Sequence, residues 1–157
     1  MTSELDIALR LLLALFAGLV LGLNRWLHHK PAGIRTHSLV SIGAAMSMIL
    51  INEIHPGDAD AISRVLQGLI TGFGFLGAGV IMRENGSNHV NGLTTAASMW
   101  ACGLLGACFG AGQYLLGTLS ISLMLIVLLI GGRIEHMVGE VLSIKRESEV
   151  SPKQNED

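Results

Sequence analysis

The chain has 157 residues, half of them hydrophobic and only 14% charged, where an ordinary soluble domain carries about 25% charged residues. With a mean hydropathy of +0.56, that deficit points to a protein built for lipid. A net charge of −2 gives no basis for a nucleic-acid partner, and the length suits one compact domain.

The N-terminal stretch MTSELDIALRLLLALFAGLVLGLN has an apolar core, but Glu4 and Asp6 make its start acidic. A secretory signal wants a basic start and a small-residue cleavage site, so the segment reads as an anchor that stays. It opens a series of five apolar runs: Ile7–Leu23, Thr36–Ile51, Val65–Met82, Leu93–Phe109 and Tyr114–Ile130. Each has 16 to 18 residues, near the short end of the roughly 17–25 that cross a bilayer. Backbone amides in hydrocarbon must be bonded within their own segment, so the runs are expected to be helices. The predicted fold is an all-α integral membrane protein, a bundle of about five transmembrane helices over residues 1–132. Residues 133–157 form a tail, in which Ile134, Met137, Val138 and Val141 recur at the spacing of an amphipathic surface helix before a polar, disordered end.

Lysine and arginine set an orientation. With five spans, Arg25, Lys30, Arg35, Arg83, Arg133, Lys145, Arg146 and Lys153 share one side, and only Arg10 and Arg64 fall on the other. The N-terminus is therefore expected outside and the C-terminus in the cytoplasm. The spans contain no Asp or Glu, and Arg10 is near enough to an end to reach the interface.

The run GFGFLGAGVIM spells G-x-G-x-x-G with Gly72, Gly74 and Gly77. A dinucleotide site needs a strand before and a helix after this motif, with an acid about 20 positions on, and none of that context is present. Packing explains the glycines better. On a helical wheel Gly68, Gly72, Gly79 and Arg83 share one face while Gly77 points nearly opposite. Small residues let membrane helices approach closely, which makes the third span the candidate centre, with leucine at Gly72 or Gly79 expected to force backbones apart. Gly18/Gly22 and Gly106/Gly110 repeat the four-residue spacing elsewhere.

Two linkers look alike: Arg25 precedes AGIRT with Gly33 and Thr36, and Arg83 precedes NGLTT with Gly92 and Thr95. This suggests a parallel repeat of spans one–two and three–four. In the plainer reading, Gly33 and Gly92 permit unusual backbone angles, Thr36, Thr94 and Thr95 cap helices, and Arg25, Arg35 and Arg83 anchor at headgroups. In the sharper reading the two linkers converge into one polar site or partner-docking surface. His28, His29 and His37 read as a solvated basic loop, not a zinc site. Asp58 and Asp60 read as helix caps rather than ligands of a hard cation. Phe73 and Trp100 read as packing residues, with Trp100 alternatively lining a groove. Cys102 and Cys108 lie six helical positions apart and cannot form a disulfide within one helix.

Two stretches, Gly22–Ala45 and Gly72–Gly112, together resemble the MgtC/SapB family of bacterial membrane proteins through AGIRT, GFLGAGVI and GLTTAASMW. The resemblance implies an inner-membrane protein of about five spans, associated with magnesium homeostasis and low-magnesium adaptation. It implies a regulator of other membrane machinery, the F-type ATP synthase among the candidates; the sequence offers no nucleophile–base constellation, metal motif or valid nucleotide motif, so a non-enzymatic role with no cofactor is expected. Carried over by motif, the positions that matter are Arg25, Gly33, Arg35, Thr36, Gly77, Gly79, Arg83, Gly92, Thr94, Thr95 and Trp100. Two features depart from the family pattern: Asn24 stands where an acid is usual, and the longer members' soluble C-terminal domain is not expected here. The competing function is an oligomeric transporter or channel for Mg2+ or another small ion, lined by Thr94, Thr95, Ser98 and backbone carbonyls.

Overall fold

The computed structural model describes residues 3–83 and 90–150. Helix α1, Glu4–Leu27, starts where the Ser3 hydroxyl accepts the Asp6 amide at 3.2 Å. Glu4 and Asp6 in its first turn and Arg25 in its last complement the helix dipole. Helix α2, Ile34–Ile54, follows a short turn and begins at Gly33 with no side-chain cap. Helix α3, Ala59–Ala78, is capped by Asp58, whose Oδ1 accepts the Asp60 and Ala61 amides at 3.0 Å each. The Ala61 amide above all holds the Asp58 carboxyl below the usual carboxylate range. Asp60 is exposed in the first turn and caps nothing.

After α3 the chain forms a small antiparallel ladder, β1 (Met82–Arg83) on β2 (Val90–Asn91), with Met82 opposite Asn91 and Arg83 opposite Val90. Helix α4, Leu93–Gly110, and helix α5, Tyr114–Val150, complete the order. Among the described residues, five helices are long and apolar enough to cross a membrane: 4–27, 34–54, 59–78, 93–110 and 114–134. The backbone of α5 runs past residue 130 to Val150 without a break. The chain divides into two compact units, Met1–Ile121 and Ser122–Asp157. The first contains α1–α4 and the opening turns of α5; the second, as far as it is described, is the rest of α5.

Within the first unit, α2 lies against α1, α3 and α4. A Cβ on Gly18 would stand 2.5 Å from the Ser38 Cα, and one on Gly22 2.6 Å from the Ile34 Cα. On the other flank, a Cβ on Gly106 would stand 2.8 Å from the Ser41 Cα and one on Gly110 2.6 Å from the Ala45 Cα. The two four-residue glycine pairs therefore bring the α1 and α4 backbones directly onto α2. Small residues are prominent among those buried here, Ala14, Ala17, Ser41, Ala44 and Ala45, beside the larger Leu21 and Leu105. Phe73 reaches from α3 over Gly103 and joins Ala44, Met48 and Ala107 in an apolar cluster.

This corrects the expected centre. The rest of the chain encloses 56% of the membrane-length window of α4 but only 11% of that of α3. Among the described residues, a Cβ on Gly68, Gly72 or Gly74 meets nothing within 4 Å, while Gly77 faces Ala96 of α4. The wheel that aligned Gly68, Gly72, Gly79 and Arg83 assumes a continuous helix, whereas α3 ends at Ala78, Gly79 is its C-cap and Arg83 lies in β1. The proposed repeat is echoed only in part. Gly33 and Gly92 both sit at the N-caps of their helices, but the arginines before them stand in a helix and in a strand.

Gly106→Ala is expected to destabilise the protein by ~1–3 kcal/mol or more, because a packed backbone cannot move aside. Gly72→Ala is expected to be neutral or to stabilise by up to ~1 kcal/mol, since alanine is the better helix former. Thermal unfolding of both variants in detergent checks the contrast; equal losses would contradict the seam.

Candidate functional site

The polar residues of the helix interior meet near the end of α1, the start of α2 and the start of α4. Helix α1 runs four residues past the predicted end of the first span, to Leu27. Arg25 is thereby carried as part of a helix into the seam, where it is 5% exposed. Its Nη2 donates to Thr95 Oγ1 of α4 at 2.8 Å. No carboxylate pairs with it among the described residues, and its buried Nε has no partner. Compensation comes from Thr95 and from its place in the last turn of α1, where the helix dipole favours a cation.

The network continues into α2. The hydroxyl hydrogen of Ser98 has two acceptors within reach, the Thr95 carbonyl at 2.9 Å and His37 Nε2 at 3.1 Å. The other ring nitrogen, Nδ1, lies 3.1 Å from the Gly33 carbonyl. A carbonyl only accepts, so Nδ1 carries a proton. Cys102 Sγ donates to the His37 carbonyl at 3.4 Å, and Ser41 Oγ donates to the Ala14 carbonyl at 2.7 Å. Arg25, Thr95, Ser98 and His37 thus join three helices through side chains that lipid cannot solvate. This is a strong reason for them to remain paired.

His37 is fully buried one turn into α2, not in a solvated basic loop. Arg25 is not a headgroup anchor. Thr95 caps nothing, because the N-caps are Gly33 and Gly92, neither with a side-chain cap bond. Gly92 does use a left-handed backbone, φ +95°, and a Cβ there would overlap the Val80 carbonyl. Gly33, at φ −104°, needs no such freedom. Arg35 is exposed, and with the half-buried Thr36 it lines a groove beside the junction. Thr94 is exposed, and Trp100 is 39% exposed rather than packed inside. The Arg83 side chain lies outside the described residues. At the opposite end, the Arg10 Nε pairs with Asp6 Oδ2 at 2.7 Å and its Nη1 donates to the Gly110 carbonyl at 2.9 Å. Tyr114 donates to the same Asp6 carboxylate.

His37, Ser41 and Cys102 carry no motif of their own. The available signal is spacing: positions 37 and 41, and 95, 98 and 102, each mark one helix face with small polar groups.

Five helices of membrane length, three of them joined by glycine contacts and a buried polar junction, define a multi-pass membrane protein. The chain belongs to the MgtC family, whose model matches residues 11–137. Protein SrpB of Synechococcus elongatus is 42% identical over 72% of this chain and 68% of its own length. YhiD of Escherichia coli K12, by name a candidate magnesium transporter, is 38% identical over 82% of this chain and 60% of its length. Protein MgtC of Salmonella typhimurium is 42% identical over 68% of this chain and 44% of its length. No solved structure matches.

Thr95→Val removes the acceptor of a buried charged donor and is expected to cost ~1.5–3 kcal/mol, whereas Thr95→Ser keeps most of that stability. Thermal unfolding of the two variants decides; equal behaviour would mean that the Arg25 bond contributes nothing.

Proposed function

We propose that the chain is a non-enzymatic regulator in the bacterial inner membrane, tied to magnesium homeostasis or low-magnesium adaptation. It acts by contact with another integral membrane protein. The carrying observation is the closed state of the junction. Of the three hydroxyls that an ion path would need, Thr94 is exposed, while Thr95 and Ser98 are 1% and 7% exposed and engaged with Arg25 and His37. A fixed guanidinium beside them opposes a divalent cation, and magnesium is usually held with carboxylate help. Family membership supports the link to magnesium through the names of relatives. The eight-to-two partition of basic residues supports a periplasmic N-terminus and a cytoplasmic C-terminus.

The partner is read as membrane machinery, with the F-type ATP synthase the candidate offered by resemblance. The open face of α3, with Gly68 and Gly72 uncovered and Phe75 82% exposed, is available for such contact or for a second copy. The transporter reading is favoured by the name of YhiD, and because the chain spans only part of its relatives, both readings concern activities of longer proteins too.

Reconstitution separates them. Purified protein in liposomes is expected to give no Mg2+ flux, and a photo-crosslinking residue at Val90, exposed on β2, is expected to capture a defined integral membrane protein in native membranes. Mg2+ flux that Thr95→Val abolishes would overturn the regulatory reading.

A further inference from the structure

A groove of about 670 Å³ opens at the membrane end where α1 and α3 finish and α2 and α4 begin. That is within the roughly 300–1,000 Å³ range of small-molecule sites. Its lining is divided by chemistry. Arg35 and Thr36, in the first turn of α2, supply a guanidinium and a hydroxyl, while Leu39, Leu76 and Met99 supply an apolar wall. Trp26 stands at the rim, 59% exposed at the end of a span, the position of an interfacial aromatic.

The polar half favours an anion. Arg35 has no carboxylate partner among the described residues. Among the described residues, no acidic side chain lines the groove. The start of α2 bears no side-chain cap, so its first-turn amides and the positive end of its dipole lie beside Arg35. The apolar half excludes a simple hydrated anion as the natural occupant, because such an ion leaves Leu39, 70% exposed, and Leu76, 46% exposed, facing water. An amphiphile satisfies both halves at once.

We propose that this groove is a specific site for an anionic phospholipid. The phosphodiester rests against Arg35, Thr36 and the start of α2, and an acyl chain lies along Leu39, Leu76 and Met99. The site does not depend on the regulatory reading, and its test involves neither flux nor partner.

The test uses the full chain carrying Trp100→Phe, which leaves Trp26 as the single tryptophan. The protein is placed in phosphatidylcholine vesicles containing either dibrominated phosphatidylglycerol or dibrominated phosphatidylcholine at equal mole fraction. Bromine on a bound lipid quenches Trp26. The anionic lipid is expected to quench about fivefold more effectively, the preference that one basic side chain at a membrane surface supplies. Arg35→Gln is expected to bring the ratio to about one, and Lys30→Gln, an exposed basic residue that does not line the groove, to leave it unchanged. Inorganic phosphate is expected not to relieve the quenching. A ratio near one in the unsubstituted groove would overturn the proposal. So would an equal loss in Lys30→Gln, which would mean general surface attraction, or relief by phosphate, which would mean a free-anion site.

Discussion

Helix α2 is approached on two flanks at distances that only glycine allows: Gly18 and Gly22 from α1, and Gly106 and Gly110 from α4. Lipid offers no hydrophobic drive to push helices together, so close contact and interhelical hydrogen bonds hold them. Contact this close has a second effect. At the points of closest approach it admits only small neighbours, among them Ala14, Ala17, Ser41 and Ala45, and it places the polar groups of one helix within bonding distance of the next. The Ser41–Ala14 and Ser98–His37 bonds are consequences of the glycine spacing as much as of the residues that make them.

Arg25 is the costly member of this arrangement. A cation within a membrane-spanning segment is expensive and tends to mark function. Here it has one bonded partner in Thr95, a favourable helix end and no described carboxylate. Its neighbour Asn24, at the position where the family resemblance leads one to expect an acid, is also buried. With a neutral amide there, the junction keeps a net positive charge that only dipoles offset. This distinguishes the junction from an acid-lined cation path and makes the end of the protein bearing Arg25 and Arg35 attractive to anions. The groove and the junction are thus two results of one charge distribution, one sealed between helices and one open to lipid.

Much of this was legible in the sequence. The five helices follow from apolar run length, and the contact pairs Gly18/Gly22 and Gly106/Gly110 from their spacing. The Asp58 cap follows from its place before a helical pattern. The central helix was not legible, because a glycine shows that a close approach is permitted and not that a neighbour within the chain makes it. Gly68 and Gly72 look the same in the sequence as Gly106 and Gly110, yet none of the described residues approaches them. His37 was misread for a different reason. It follows a polar linker, but α2 already begins at Ile34, and one turn of helix moves the ring from water to the seam. Arg25 was misread because an apolar run ends before its helix does. The Arg25–Thr95 contact joins residues 70 positions apart, and the likeness of the two linkers only hinted at it.

The central claim is that α1, α2 and α4 are locked by a buried polar junction at glycine-set distances, and magic-angle-spinning NMR of the labelled protein in lipid bilayers tests it directly. The account predicts through-space cross-peaks from the Arg25 guanidinium to the Thr95 side chain and from the His37 ring to the Ser98 Cβ, both protected from exchange with water. Arg25 resonances with no Thr95 contact and rapid water exchange would contradict it.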